Sequence, residues 1–199
     1  MTPMAATQTA AQDDQARLRT RIVQVAAAVT SETGWSSVTM GLLADTIGVS
    51  RQTVYNELGS KRQLAEEVVF AELQQFLTLV DAAFQAHPTD LAAAVRTACR
   101  DVLVRAAESP LLHAIASTSH GARHDLLPLL TTQSETLIDT AKTVVRTRLA
   151  LLARPVPDRE LTAATDMLVR TILSHVMQPS ASPEVTADNM AWLTQQLLA

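Results

Sequence analysis

The sequence predicts an all-α fold, and three observations predict it. Of 199 residues only five are glycine, while alanine and leucine are abundant; both lose little side-chain freedom in a helix. Apolar residues recur every three or four positions rather than alternating. Caps, glycines and prolines cut that periodicity into about nine segments of helical length.

Composition narrows the class further. The chain is 47% hydrophobic and 18% charged, a globular balance rather than a disordered one. Its formal net charge is −4, which argues against a generally basic coat for nucleic acid. Between Asp13 and Arg62, however, six Lys/Arg stand against five Asp/Glu, so a local basic face is open. Cys99 is the one cysteine, which rules out an intrachain disulfide and suits the cytoplasm. Residues 1–16 are polar and do not read as a signal peptide. No apolar run approaches the ~18 residues of a membrane span. A cytoplasmic protein without membrane contact is expected.

Taken in order, residues 1–13 read as a disordered arm rich in Ala, Thr and Gln. A first helix is predicted from about Asp14 to Thr33, with Leu18, Ile22, Val25, Ala26 and Val29 at helical spacing; Gly34 stops it. Thr39 caps a short helix that Gly48 ends. Ser50 caps a second, Arg51 to Asn56, and Gly59 breaks it. Ser60 and Gln63 form an S-x-x-Q capping box that opens a long helix, striped by Leu64, Val68, Leu73, Phe76, Leu77, Val80 and Phe84. His87-Pro88 ends it. Asp90 caps the next helix, through about Ala107, and Ser109-Pro110 starts a short one. Ser119 to Arg123 read as a loop. A long helix is predicted over roughly Leu126–Leu152, another capped by Asp158 to Met177, and a last one from Ser182-Pro183.

Function concentrates in Thr39–Lys61, TMGLLADTIGVSRQTVYNELGSK. Two short helices flank a Gly48-Val49-Ser50 turn, with apolar anchors at Leu43, Ala44, Ile47, Val49 and Val54. That is what a helix-turn-helix requires. The second helix then presents Arg51, Gln52, Thr53, Tyr55 and Asn56 outward, within reach of base edges and phosphates in a major groove. Gly41 sits unusually near a helix start, where it could admit a close approach of DNA.

This stretch resembles the TetR family signature. Thr39, Leu43-Ala44, Gly48-Val49-Ser50, Val54-Tyr55 and Ser60-Lys61 stand at the family's offsets, over about residues 17–65. One departure is Asn56-Glu57-Leu58, where members usually carry an aromatic residue before the G-S-K. The resemblance implies a three-helix DNA-binding domain over 14–62 and a helical ligand-binding and dimerisation domain over 63–199. It implies phosphate contacts from Thr39, Tyr55 and Lys61, and base contacts from Arg51, Gln52 and Thr53, with Asn56 beside them and Ser50 chiefly a cap. The expected partners are palindromic double-stranded operator DNA, a small-molecule effector and a second copy of the chain; no cofactor is expected. The expected function is a homodimeric repressor released by a small hydrophobic ligand. A ligand-independent regulator or an activator is the alternative.

Within the larger domain, Cys99, His113, Met167, Arg170 and His175 are candidate pocket residues: isolated polar groups and adaptable methionine in apolar helices. Leu161, Leu168, Ile172, Met190, Leu193 and Leu197 on the last two helices are candidate dimer contacts. A rival reading is a metal site at His120 and His124, four apart; no metal is assigned, since no Cys or Glu joins them. No nucleophile elbow, phosphate loop, zinc-protease or dinucleotide motif is present, so an enzyme is not expected.

Overall fold

A computed structural model describes residues 3–116 and 134–198. Among them are nine α-helices and no strand: α1 Pro3–Thr33, α2 Met40–Ile47, α3 Arg51–Leu58, α4 Lys61–Ala86, α5 Leu91–Glu108, α6 Pro110–Ala116, α7 Glu135–Leu152, α8 Asp158–Met177 and α9 Pro183–Leu198. A single 3-10 turn, Trp35–Ser37, lies between α1 and α2.

The chain forms two compact units that divide at Ala71 and Glu72, inside α4. The sequence suggested a boundary at 62–63. It falls later because Leu64, Ala65, Val68 and Val69, in the first turns of α4, are buried within the first unit. There they accompany Ile22, Val23 and Ala26 of α1, Leu43, Ala44 and Ile47 of α2, and Val54 and Leu58 of α3. The core of the second unit holds Val80, Ala83 and Phe84 of α4, Leu91, Val95, Ala98, Cys99 and Val102 of α5, and Val145 and Leu149 of α7. Ala94 of α5, Leu161 and Ala164 of α8, and Ala187 and Leu198 of α9 join it.

Most helix ends follow the capping grammar. Asp90 accepts from the Ala93 amide at 2.9 Å, and Ser109 from the Leu112 amide at 3.2 Å. The Ser60 hydroxyl oxygen accepts from the Gln63 amide at 3.2 Å, while Gln63 Oε1 accepts from the Ser60 amide at 2.9 Å. That reciprocal pair satisfies two amides that a helix start otherwise leaves open.

Three boundaries differ from the sequence reading. The expected arm over 1–13 is helical from Pro3; an Ala/Gln-rich segment continues a helix well even without an apolar stripe. The helix expected from Leu126 begins at Glu135, with Ser134 at its N-cap. Asp158 is the first residue of α8 rather than its cap, a place Pro157 takes. There Asp158 and Glu160 complement the positive end of the helix dipole. The expected loop at 119–123, together with His120 and His124, lies outside the described residues.

Among the described residues no helix is long and apolar enough to cross a membrane.

Candidate nucleic-acid interface

The site is built by α2, its turn and α3. Thr39 has an extended backbone, and its hydroxyl oxygen accepts from the Leu42 amide at 3.1 Å. A hydroxyl that caps through oxygen keeps its own O–H to donate. Gly48 ends α2 in the left-handed region, with φ 81° and ψ 36°; only glycine enters that region cheaply. Both the Gly48 and Val49 amides donate to the Ala44 carbonyl, at 2.9 and 3.0 Å. Ser50 then caps α3, its oxygen accepting from the Thr53 amide at 3.0 Å. The turn reverses the chain so that Val54 and Leu58 are buried beside Leu43, Ala44 and Ile47. Ala44 is 1% exposed, and a larger side chain there would force α2 and α3 apart.

Burying that face turns the other outward. Arg51, Gln52, Tyr55 and Asn56 are exposed on α3. Gln52 Nε2 donates to Asn56 Oδ1 at 2.8 Å, which leaves the carbonyl of Gln52 and the amide of Asn56 for other partners. Thr53 is half-buried, and its hydroxyl shares a 2.8 Å hydrogen bond with that of Ser50. Both hydroxyls are thus engaged in the cap.

Lys61 opens α4. It is half-buried, its Nζ donates to the Trp35 carbonyl at 3.1 Å, and it lies 5.2 Å from the centre of the Trp35 ring. Arg19 of α1 donates to the Glu57 carbonyl at the end of α3 and pairs with Glu67 of α4. Neither Trp35 nor Arg19 stood out in the sequence. Both act across tens of residues, and no local pattern marks such contacts.

The space beside Gly41 is already occupied within the chain. A Cβ built there would lie 2.7 Å from Arg51 Nη2 and 2.9 Å from its Cζ and Nε. What approaches the bare backbone is the guanidinium of Arg51.

The second unit does not gather the five candidate pocket residues. Cys99 is buried in the apolar core, and burial pushes its thiol up to about 12. Met167 is 59% exposed. Arg170 is exposed and pairs with Asp166 at 3.0 Å. Both point away from the α8 face that carries Leu161, Leu168 and Ile172, because at 3.6 residues per turn a position one residue before Leu168 or two after it is turned roughly 100° or more off that stripe. His113 is exposed on α6 and groups with the first unit. His175 alone is half-buried with a polar atom, Nδ1, that has no partner among the described residues.

The candidate dimer residues also divide. Leu161 is buried in the core, and Leu168, Ile172 and Met190 pack against it, so these four do intramolecular work in the single chain. Leu193 is half-buried and Leu197 43% exposed. The large apolar side chains that the two last helices leave exposed are Met167, Val185, Trp192 and Leu197.

Comparisons with known proteins agree with this architecture. Residues 22–68 match the family described as bacterial regulatory proteins, tetR family. Residues 90–196 match the bacterial tetracyclin repressor C-terminal domain. The chain is 30% identical over 155 residues to the HTH-type transcriptional regulator AlkX of Mycobacterium tuberculosis, covering 77% of this chain and 72% of that one. Its fold is similar to the crystal structure of the TetR family repressor AlkX from a Dietzia species, implicated in biodegradation of n-alkanes. The TM-score is 0.74 at 22% identity, over 90% of this chain and 98% of the other. RolR in complex with resorcinol has the same fold, with a TM-score of 0.62 at 14% identity over 94% and 90% of the two chains. With its helix-turn-helix and its helical C-terminal domain both matched, the chain belongs to the TetR family of bacterial transcriptional regulators, which are DNA-binding proteins and not enzymes.

Proposed function

We propose that this regulator is a homodimeric repressor that reads a palindromic operator and leaves it when a small hydrophobic ligand binds the second unit. The observation that carries the reading is α3 itself. It buries Val54 and Leu58 and exposes Arg51, Gln52, Tyr55 and Asn56 on one short, capped helix.

Arg51 and Gln52 are the proposed base readers, by bidentate bonding to guanine and adenine respectively, with Asn56 orienting Gln52. Thr39 and Tyr55 offer hydroxyls to phosphates, and Lys61 offers the donors that Trp35 leaves unused. Thr53 and Ser50 act mainly through the cap.

Dimerisation is supported by exposed apolar side chains on the last two helices, Met167 of α8 and Val185, Trp192 and Leu197 of α9. Single apolar residues are ordinary on a surface, but four large ones on two consecutive helices suit a partner. A two-fold dimer places two α3 helices on an inverted repeat. The hydrophobic ligand is supported by the apolar core of the second unit, and the implication of the Dietzia repressor in n-alkane biodegradation favours a hydrocarbon or fatty chain.

Selection of bound duplexes from a randomised pool, with the full chain, tests this. Recovered sites should carry inverted half-sites about one helical turn apart, roughly 34–36 Å or a multiple. Long-chain n-alkanes or fatty acyl compounds should then lower affinity for the recovered site. Enrichment of an unpaired half-site would count against the dimer, and affinity indifferent to every apolar ligand would count against sensing.

A further inference from the structure

Gly41 is buried in the first turn of α2 and has no positive φ. The backbone there is one that any residue adopts, so conformational freedom does not account for the glycine. Space does. A Cβ at this position would stand 2.7 Å from Arg51 Nη2 and 2.9 Å from its Cζ and Nε, closer than atoms in contact approach. The guanidinium therefore occupies the volume that a side chain at 41 would fill.

Arg51 is exposed at the first position of α3. Among the described residues no carboxylate pairs with it. Its planar head rests on the bare backbone at Gly41 and donates to no other described residue. A long, flexible side chain at the start of a recognition helix has many rotamers, and only some deliver both donors to one guanine edge. A seat that selects a rotamer without using up a donor restricts the head while keeping it available.

From this we infer that Gly41 is a specificity-positioning residue: its missing side chain makes the seat that aims the Arg51 guanidinium at its operator base. The inference rests on the reading of Arg51 as a base contact and adds the residue through which that contact is aimed. It also explains how a position with no functional group can govern sequence preference.

The test uses the full chain and four proteins: wild type, Gly41→Ala, Arg51→Ala and the double variant. Each is used to select duplexes from a randomised pool, and thermal unfolding is followed in parallel. Arg51 ends in a flexible head, so an alanine at 41 displaces it with little strain, and alanine favours the helix. Gly41→Ala should then melt at or above the wild-type temperature. It should flatten preference at the same operator position that Arg51→Ala flattens, by roughly fivefold or more in base discrimination. The double variant should be no flatter than Arg51→Ala alone. If Arg51→Ala flattens a position and Gly41→Ala leaves it at wild-type preference, the seat is overturned and the Arg51 contact stands. If Arg51→Ala changes no preference, the base contact itself fails and the seat with it. Equal weakening on all duplexes by Gly41→Ala, or a fall in its melting temperature, would make Gly41 a purely structural residue and also overturn the inference.

Discussion

The Lys61 ammonium donates to the Trp35 carbonyl at 3.1 Å and stands 5.2 Å from the centre of the same residue's indole ring. One cation thus ties the first turn of α4 to the turn that precedes α2. A hydrogen bond of this kind contributes about 0.5–1.5 kcal/mol and a cation over an indole about 0.5–1 kcal/mol. Lys61→Ala should therefore lower stability by about 1 kcal/mol in urea unfolding. It should also weaken binding to every duplex alike and reduce the salt dependence of affinity by about one unit of slope. An unchanged slope would leave Lys61 with the structural part alone.

The caps of α2 and α3 separate stability from contact. Ser50→Ala removes the acceptor of the Thr53 amide and should cost about 1 kcal/mol, while Ser50→Gly should cost only a few tenths, roughly. Thr39→Ala should show a similar loss and, in addition, reduced affinity for all sequences. Comparing urea midpoints with binding to specific and scrambled duplexes distinguishes the two residues. Equal affinity losses from both would place the DNA effect in helix stability, not in the Thr39 hydroxyl.

Cys99 should be chemically silent in the folded protein. Its burial pushes the thiol up to about 12, so hardly any reactive thiolate exists near neutrality. Alkylation by iodoacetamide should proceed only through unfolding and should accelerate with denaturant. Reaction at the rate of a free thiol under native conditions would contradict this. Cys99→Ser should cost about 1–3 kcal/mol, by placing a hydroxyl in an apolar core.

Asp166 makes a pH-dependent tie between α7 and α8. Lys142 donates to it at 3.2 Å and Arg170 at 3.0 Å. The Lys142 hydrogen bond, ahead of the Arg170 one, holds its carboxyl below the usual carboxylate range. A carboxyl whose folded value is depressed stabilises the fold above its unfolded value and loses that contribution as pH falls through the folded one. Asp166→Asn should therefore be less stable than wild type at neutral pH. The gap should close in acid, below the ordinary carboxylate range, and narrow in high salt, because Asp166 and Lys142 are only half-buried and Arg170 is exposed. A gap that persists at low pH would assign the effect to packing.

What could be read from the sequence was what local chemistry controls. Thr39, Gly48, Ser50, Ser60 with Gln63, Asp90 and Ser109 announce helix ends, because a cap is a contract between residues two to four apart. The family signature in Thr39–Lys61 came from the same short-range grammar. Leu161 and Met167 show the limit. Both are apolar residues of α8, one 8% and the other 59% exposed. Spacing assigns them to different faces without saying which face meets the core and which is left over. Gly41 was legible as an anomaly but not as a seat, since its neighbour Arg51 is brought to it only by folding. Asp158 was misplaced by a single residue because an acidic side chain suits both a cap and the first turn.

Arg19 sends one arm of its guanidinium to the Glu57 carbonyl at the end of α3 and the other to Glu67 of α4. With Ser50 holding the other end of α3, the reading helix is clamped at both termini before DNA arrives. Binding is then the docking of a finished surface, and the ordering that remains is confined to side-chain tips such as those of Gln52 and Tyr55. The calorimetric signature of such a surface is a modest entropic penalty and a heat-capacity change set by the area buried, without the larger change that accompanies coupled folding. Loosening the clamp would move the cost of order from the folding of the protein to the encounter with its operator.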